Sequence, residues 1–212
     1  MTATRGRLIA LEGIDGCGKS TQARILADRL GAVATFEPGA TPLGAALRSL
    51  LLDPGRAPVS VRTEALLMAA DRAQHVAEVI APALEAGTWV VTDRFAASTL
   101  AYQGFGRGLD RDELGSLVDW ATAGLQPDLT VLLDLPVAVA AARRRGGAAD
   151  RMESEADVFH QRVADGFLAL AAAGGDPWLV IDATEAVPSI AATIWSAVEV
   201  LAGPGGPPGQ GR

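Results

Sequence analysis

The chain alternates between short, continuously apolar runs and longer stretches in which apolar residues recur at helical spacing. The short runs predict strands over residues 8–11, 33–36, 88–92, 129–134 and 178–181. Runs that are apolar throughout, rather than at every second position, are typical of strands covered on both faces. We therefore predict an α/β fold, with a five-stranded parallel sheet and helices on both faces.

Helices are predicted between these strands. Thr41 followed by Pro42 is typical of a helix start, and a longer helix is predicted over residues 60–86, with a possible kink at Pro82. The residues expected to face inward from these two helices are Leu43, Leu47, Leu50, Leu51, Leu66, Leu67, Ala70, Val76 and Ile80. Residues 104–108 are glycine-rich and predict a flexible turn, after which Asp110 and Glu113 resemble a capping box.

The most informative motif lies between the first strand and the following helix. Residues 13–20 read G-x-x-x-x-G-K-S, the phosphate-binding P-loop. Its glycines let backbone N–H groups point at phosphate oxygens, and the helix adds its positive N-terminal end. Lys19, the only lysine in the chain, would reach the β- and γ-phosphates of ATP, and the Ser20 hydroxyl would bind Mg²⁺. The predicted ATP-binding residues here are Gly13, Ile14, Asp15, Gly16, Cys17, Gly18, Lys19, Ser20 and Thr21. An ordinary glycine-rich turn is the alternative, and the flanking strand and helix disfavour it.

Charged residues follow several predicted strands directly. Glu37 follows the second strand, Asp93 and Arg94 follow the third, and Asp134 ends the fourth. Because ligands bind at the carboxyl ends of parallel strands, we expect these residues to share one rim with the P-loop. Asp93 can help Ser20 to hold hydrated Mg²⁺, whereas Asp134 is expected to be structural.

Composition narrows the classes of protein to be considered. A length of 212 residues suits a single domain over residues 1–202, followed by a disordered Gly/Pro-rich tail over 203–212. The net charge of −7 argues against binding nucleic acid through broad phosphate neutralisation. Cys17 is the sole cysteine, so no intrachain disulfide is expected. We see no membrane span or secretory leader and expect a cytoplasmic protein.

Together these motifs resemble those of bacterial thymidylate kinases, the P-loop enzymes that phosphorylate dTMP with ATP. The matching residues are 11–22, 37–39, 47–48, 69–74, 93–95, 98, 101–104, 106–108, 127–129 and 150–153. The resemblance implies a nucleoside monophosphate kinase fold with a mobile lid, ATP and dTMP as substrates, Mg²⁺ as cofactor, and a homodimer. The apolar stripe over residues 66–80 is the candidate dimer contact.

The resemblance also implies the residues that hold the nucleoside of dTMP. Arg72 would bond the thymine edge, with Gln103 and Ser98 completing the base site. Tyr102 would lie beside the sugar and disfavour a ribose 2′-OH. Asp15 would hold the 3′-OH side.

The acceptor phosphate would be held by Arg48 and Arg94, with Glu37 close by. Guanidinium forks suit phosphate oxygens, which supports this assignment. The chain departs from the family at two positions. Met68 stands where phenylalanine usually stacks on thymine, and Phe36 replaces the arginine usual before Glu37. Met68 could instead be ordinary core packing.

The lid is expected over residues 143–154. Some family members carry a catalytic arginine inside the P-loop, but this chain has Gly16 at that position and resembles those that place the arginine in the lid. An arginine finger contributes roughly 10³–10⁵ in rate. We favour Arg151 for this role, with Arg145 second. Residues 143–145 could alternatively be a solvated helix end beside the helix dipole.

Two other functions remain open from the sequence. The first is a related kinase that acts on another nucleotide or on a deoxynucleoside, which Met68 would favour. The second is a P-loop NTPase switch, against which the chain has no guanine-reading Asn-Lys-x-Asp motif. His75 and His160 have no partners at metal-ligand spacing, and we expect both to be structural or on the surface.

Overall fold

The computed structural model of the protein describes residues 5–144, 150–173 and 177–203. In these residues five parallel strands form one sheet with the order β2-β3-β1-β4-β5. The strands are β1 (Leu8–Glu12), β2 (Val33–Phe36), β3 (Val90–Asp93), β4 (Leu129–Asp134) and β5 (Trp178–Asp182). The predicted fold class is therefore confirmed, although the predicted tail beyond residue 203 and residues 145–149 of the lid lie outside the described residues.

Helices connect the strands, as each parallel crossover requires. They are α1 (Lys19–Leu30), α2 (Pro42–Leu52), α3 (Val61–His75), α4 (Ala81–Glu85), α5 (Ala96–Thr99), α6 (Arg111–Thr122), α7 (Val137–Arg144), α8 (Asp157–Ala172) and α9 (Val187–Ala202). Two π-helical segments, Val76–Ile80 and Leu100–Gly106, lie between α3 and α4 and after α5. In the part of the chain that the structure describes, no helix is long and apolar enough to cross a membrane.

Hydrophobic residues cover the sheet on both faces. From β1, Ile9 and Leu11 point to one side and pack in a cluster with residues of α1, α8 and α9. Leu8 and Ala10 point to the other side and pack against the segment that runs from Val76 to Leu84. All four of these β1 side chains are buried. This two-sided burial explains why the strands read as continuous apolar runs.

The predicted helix over residues 60–86 is present but interrupted. Ser60 caps α3 by accepting a hydrogen bond from the Thr63 N–H at 3.2 Å. The π-helical turn then intervenes, and the Ala81 N–H donates to the carbonyl of Val76, five residues earlier. Pro82, which has no N–H to donate, follows immediately in α4.

The prediction of which residues of α2 and α3 face inward is partly wrong. Leu43, Leu50 and Leu66 are 49%, 41% and 58% exposed, and Ala70 is exposed too. The buried polar side chains of α3 are Glu64, Asp71, Arg72 and His75. The inner face of α3 therefore borders a polar site, which apolar periodicity cannot identify.

The prediction of a flexible turn over residues 104–108 is also wrong for residues 104–106. Gly104 and Gly106 belong to the second π-helical segment and are buried against the rest of the fold. A Cβ atom on Gly106 would lie 2.6 Å from Cε2 of Phe159 in α8, so a side chain does not fit there. The glycines thus permit close packing of the segment that carries Tyr102 and Gln103.

Candidate active site

The rim predicted from the strand ends is formed by residues that follow β1, β2 and β3. The Arg94 N–H donates to the Leu11 carbonyl at 2.9 Å, and the Glu37 N–H donates to the Asp93 carbonyl at 3.0 Å. The first bond ties the residues after β3 to β1, and the second ties β2 to β3. Consequently the P-loop, Glu37 and Arg94 meet at one edge of the sheet.

The P-loop wraps the N-terminus of α1. Gly16 and Gly18 adopt φ values of 89° and 101°, in the left-handed region that favours glycine. Gly18 is the N-cap of α1 and has no side chain to accept the first N–H groups of the helix. The Lys19 ammonium donates to the Ile14 carbonyl at 3.0 Å and to the Cys17 sulfur at 3.6 Å. A buried lysine thus lies at a glycine-rich loop and the N-terminus of a helix, the combination that binds phosphate.

A large cleft of about 860 Å³ opens over this loop. Several predicted ATP-site residues line it, namely Asp15, Gly16, Gly18, Lys19, Ser20 and Thr21, with Asp93 and Arg94. Gly13, Ile14 and Cys17 belong to the same loop but are buried and do not line the cleft. Arg145, which was also expected to bind ATP, lies outside the described residues.

Ser20 and Asp93 lie together at the edge of the cleft. The Ser20 hydroxyl donates to Oδ2 of Asp93 at 2.5 Å. A hydroxyl beside a carboxylate, next to a phosphate-binding loop, supplies the oxygen ligands that Mg²⁺ prefers. These two residues fit the metal role that the sequence assigned to them.

Arg94 is the centre of a five-residue cluster. Its Nη2 donates to Oδ1 of Asp15 at 2.5 Å and to the Tyr102 hydroxyl at 3.0 Å. Its Nη1 donates to the Gly13 carbonyl at 3.0 Å and to Ser98 Oγ at 3.1 Å. The Tyr102 hydroxyl in turn donates to Oδ2 of Asp15 at 3.0 Å. The guanidinium is thus fixed in one orientation beside the P-loop.

The electrostatics of this cluster follow from burial and charge. Burial alone would raise the pKa of Asp15, but the charges of Arg94 and Lys19 and the hydrogen bonds from Arg94 and Tyr102 outweigh it and hold that pKa far below its ordinary value. Burial also raises the pKa of Tyr102 well above its ordinary value. Asp15 is therefore ionised and Tyr102 neutral at physiological pH.

The backbone at Arg94 is held in an uncommon conformation. Arg94 has φ 73°, which a non-glycine residue rarely adopts. The Thr92 hydroxyl donates to the Arg94 carbonyl at 2.8 Å. The buried Glu12 accepts from the N–H groups of Phe95 and Ser98 at 2.9 and 3.2 Å, and burial raises its pKa. These contacts hold the turn that aims Arg94 at the P-loop.

A second pocket adjoins the cleft. All the residues predicted to bind dTMP line it, namely Asp15, Glu37, Arg48, Met68, Arg72, Arg94, Ser98, Tyr102 and Gln103. Asp15, Glu37, Arg48 and Arg94 also line the P-loop cleft. The two pockets therefore meet at a boundary that carries both cations and carboxylates.

Arg72 is locked at the floor of this pocket. Its Nε donates to Oε2 of Glu37 at 2.8 Å, and its two terminal nitrogens donate to Thr99 Oγ1 at 2.7 Å and to the Phe95 carbonyl at 2.9 Å. The other Glu37 oxygen pairs with Nδ1 of His75 at 2.8 Å. Arg72 and Glu37 are both almost fully buried. Each of the three guanidinium nitrogens thus donates one hydrogen bond to the protein, which leaves one N–H on each terminal nitrogen, and the position of the group is set before any ligand arrives.

His75 and His160 are both buried, 1% exposed each, so the expectation of structural histidines fits and that of surface ones does not. His75 joins Glu37 to Thr35, whose Oγ1 lies 2.6 Å from His75 Nε2. His160 packs edge-on against Phe159. Asp134 lies beside Asp182 at the ends of β4 and β5, and burial followed by the charge of Asp182 raises its pKa.

Asp71 lines the acceptor pocket, although no role of its own was expected for it from the sequence. It is 1% exposed, and its Oδ1 accepts from the Gly39 N–H at 3.0 Å. Burial and then the charge of Glu37 raise its pKa to about 6. Its only signal in the sequence is its place beside Arg72.

The lid arginines lie in two places. The guanidinium of Arg143, at the end of α7, donates to the Ala183 carbonyl at 3.0 Å and lines the P-loop cleft. Nη2 of Arg151 instead donates to Oε2 of Glu64 at 3.3 Å, and Arg151 is not among the residues that line the cleft. The neighbours of Arg151, Asp150 and Met152, line the acceptor pocket. The later part of the expected lid, residues 150–152, therefore lies on the acceptor side.

Several residues of the site could not be named from the sequence. Glu12, Glu64 and Thr99 act by bonding other site residues, and no motif we used assigns them a role. Asp150 and Met152 were expected in the lid, and the sequence did not predict that they line the acceptor pocket. Glu64, Asp71 and His75 recur at helical spacing along α3 and are all buried. That polar stripe is the sequence signal that could have indicated Glu64.

Comparison with known proteins agrees with this geometry. The family model for thymidylate kinase matches residues 11–194. A thymidylate kinase from Synechococcus sp. (strain CC9902) is 54% identical over 193 residues, which is 86% of this chain and 91% of that protein. One from Cupriavidus necator is 50% identical over 194 residues, with 88% and 94% covered.

Among solved structures, the crystal structure of thymidylate kinase from Ehrlichia chaffeensis is similar to this one, with a TM-score of 0.70 and 32% identity. The similarity covers 84% of this chain and 93% of that chain. Fold, site geometry and sequence similarity agree, and the chain belongs to the thymidylate kinase family.

Proposed function

We propose that this protein transfers the γ-phosphate of ATP to the phosphate of dTMP, giving ADP and dTDP, a step toward dTTP. The observation that carries the proposal is the shared boundary between the P-loop cleft and the acceptor pocket, formed by Asp15, Glu37, Arg48 and Arg94. A phosphate donor in the cleft and a phosphate acceptor in the pocket would meet at this boundary. In-line transfer needs this arrangement.

On the donor side, the chain supplies backbone N–H groups and Lys19. The N-terminal N–H groups of α1 and the glycine-rich loop would bind the β- and γ-phosphates of ATP. Lys19 would exchange its bond to the Ile14 carbonyl for phosphate oxygens, which become more negative during transfer. Asp15 would lie on the acceptor side of the loop because Arg94 and Tyr102 hold it there.

The pairing of Ser20 with Asp93 supports a Mg²⁺ site at the cleft. Ser20 would bind the ion directly, and Asp93 would hold it through its hydration shell. The bound ion supplies charge neutralisation for the ATP phosphates. The residues themselves fix where the phosphates lie relative to the acceptor.

On the acceptor side, the phosphate of dTMP would lie between Arg48 and Arg94. Nη1 of Arg48 donates to the Pro38 carbonyl at 2.8 Å, which leaves other guanidinium donors for a phosphate. The acceptor is already an anion at neutral pH, so catalysis needs positioning and charge neutralisation rather than a strong general base. The thymine ring would contact Met68 through its polarizable sulfur, while Arg72, Ser98 and Gln103 face the base.

The transferring phosphoryl group needs one further cation, because Gly16 leaves the P-loop without an arginine. The sequence favoured Arg151 as this arginine finger, and that assignment stays a prediction. It requires Arg151 to leave Glu64, whereas Arg143 already lines the P-loop cleft. The contacts therefore favour a finger from the cluster over residues 143–145, with Arg151 as the alternative.

A homodimer is proposed from the family resemblance, with α3 in the contact. Leu66 is 58% exposed on α3 and lines a groove with Leu109 and Leu117 beside α6. Ile80, at the far end of the expected stripe, is fully buried and does not contribute. Sedimentation of the purified chain with and without the substitution Leu66→Glu tests this proposal, since the variant should be monomeric.

The proposed reaction is tested by measuring ADP production from ATP with and without dTMP. We expect ADP release that depends on dTMP and is abolished by Lys19→Met. Phosphate release at the same rate without any acceptor would instead indicate a nucleotide-hydrolysing switch.

A further inference from the structure

We propose that Glu64 is a positioning residue that sets which polar atom Gln103 presents to the nucleobase. The inference rests on the proposed acceptor pocket and identifies Glu64 as a residue that determines which base this pocket selects. Glu64 lies on α3, is 2% exposed, and is not among the residues that line the acceptor pocket. It would therefore act through Gln103 rather than by touching the substrate.

The hydrogen bond between these residues fixes the Gln103 amide. Nε2 of Gln103 lies 3.0 Å from Oε1 of Glu64. An ionised carboxylate can only accept hydrogen bonds, so it must face the NH₂ end of the amide. Because Gln103 also lines the acceptor pocket, the carbonyl oxygen of its amide is the end left for the pocket. The orientation of the amide thus follows from the charge of its neighbour.

Two arginines prevent Glu64 from turning away. Arg107 binds both of its oxygens, through Nε and Nη2, at 3.2 Å each. Arg151 binds Oε2 at 3.3 Å. Arg107 is itself held by Glu155 at 2.6 Å and lies over the ring of Phe159 at 4.7 Å. The carboxylate is thereby fixed in place by ion pairs with two arginines.

This polarity suits one class of base. The edge of thymine presents an N–H donor at N3 beside the acceptor O4, whereas cytosine presents an acceptor at N3 beside an amino donor. A pocket with the carbonyl of Gln103 and the guanidinium of Arg72 offers an acceptor and a donor. It would pair with thymine or uracil and leave unpaired groups with cytosine, which is a strong basis for rejection.

The test compares dTMP, dUMP and dCMP as acceptors for the wild type and for Glu64→Gln. The substituted side chain has an amide that can donate as well as accept, so Gln103 is no longer held in one orientation. We expect the ratio of kcat/KM for dTMP over dCMP to fall about ten-fold or more. The ratio for dTMP over dUMP should stay unchanged, because these bases share the N3 and O4 edge.

Glu155→Gln is the matched control. It removes a carboxylate from the same arginine, Arg107, without a contact to Gln103, and should leave both ratios as in the wild type. A wild type with no preference for dTMP over dCMP would contradict the proposed function itself. A wild type that prefers dTMP and a Glu64→Gln variant with the same preference would overturn only the role of Glu64.

A double variant, Glu64→Gln with Gln103→Glu, separates positioning from packing. The carboxylate at 103 has only acceptors to offer the base, and the amide at 64 can donate to it. Selectivity for dTMP over dCMP should therefore recover relative to Glu64→Gln. If the single variant does not fold, the double variant is compared with the wild type alone. A folded double variant without selectivity would overturn the inference.

Discussion

Nη2 of Arg94 and Oδ1 of Asp15 lie 2.5 Å apart at the boundary between the P-loop cleft and the acceptor pocket. The same guanidinium also reaches the Gly13 carbonyl and Ser98. One arginine thus joins the donor loop to the acceptor site. The geometry of the proposed reaction depends on this joint, because the two phosphates must be aligned across it.

Arg94→Lys should disrupt the hydrogen bonds from Arg94 to the P-loop and to Ser98 while keeping the positive charge. An ammonium cannot make the parallel bonds of the guanidinium fork. We expect kcat/KM for dTMP to fall roughly 10–100-fold, as for loss of hydrogen bonds to a charged group. Steady-state kinetics check this, with Arg62→Lys as control, since the Arg62 side chain is 79% exposed. Equal losses in the two variants would contradict the role given to Arg94.

Asp71 should make stability depend on pH. Its pKa is raised to about 6 by burial and by the charge of Glu37. Between about pH 4 and pH 6 the folded protein then binds more protons than the unfolded chain, so the Asp71 contribution to the free energy of unfolding falls as pH rises. Asp71→Asn removes this titration and can still accept from Gly39. As pH rises through this window, the free energy of unfolding of the variant should increase by about 1–3 kcal/mol relative to that of the wild type. Above the window this difference should stay constant.

Urea denaturation at several pH values measures that difference. The exposed Asp165 offers the control Asp165→Asn, which removes a carboxylate from the surface, and the effect assigned to Asp71 is the difference between the two variants. A flat difference for Asp71→Asn between pH 4 and pH 6 would show that Asp71 titrates normally.

The arginine finger can be assigned by kinetics. Because Arg151 binds Glu64 and Arg143 lines the P-loop cleft, we expect Arg151→Ala to raise KM for dTMP more than it lowers kcat. Arg143→Ala should lower kcat with less effect on KM for dTMP. Arg56→Ala, at an exposed position on the surface, is the control. A loss of about 10³ in kcat for Arg151→Ala with unchanged KM would restore the finger role that the sequence favoured.

Met68→Phe should strengthen binding of the base. Met68 is half-buried and lines the acceptor pocket, and an aromatic ring there can stack on a pyrimidine. Stacking contributes about 0.5–1.5 kcal/mol, so KM for dTMP should fall roughly 2–10-fold. The ratio of kcat/KM for dTMP to kcat/KM for dUMP should be unaffected, because both pyrimidine rings can stack on phenylalanine. A rise in KM for both nucleotides would indicate that phenylalanine does not fit.

The sequence predicted the sheet because strands buried on both faces leave an unambiguous pattern. The residues expected to hold the acceptor, from Asp15 to Gln103, all line one pocket, and their binding of dTMP stays a prediction. Their selection came from the family resemblance, since Arg72 and Gln103 carry no signal when read singly. The capping residues Thr41 and Asp110 were also predicted from local chemistry, and both accept the expected backbone N–H bonds.

The sequence could not predict contacts that join remote segments. Nothing local indicates that Glu64 would bind Arg107 and Arg151. The apolar pattern predicted the wrong inner face for α3, because that face borders a polar site and carries buried polar side chains. Residues 104–106, at the end of the π-helical segment that carries Tyr102, were predicted to be part of a flexible turn. Glycines that permit close packing look the same in a sequence as glycines that permit flexibility.

The central claim is that the chain phosphorylates dTMP and chooses it by its base. A coupled assay of ADP production with saturating ATP and equal concentrations of dTMP, dUMP, dCMP and dGMP tests it most directly. The account predicts that dTMP is the best acceptor by a clear margin. Equal rates with all four nucleotides, or a faster rate with dCMP or dGMP, would contradict it.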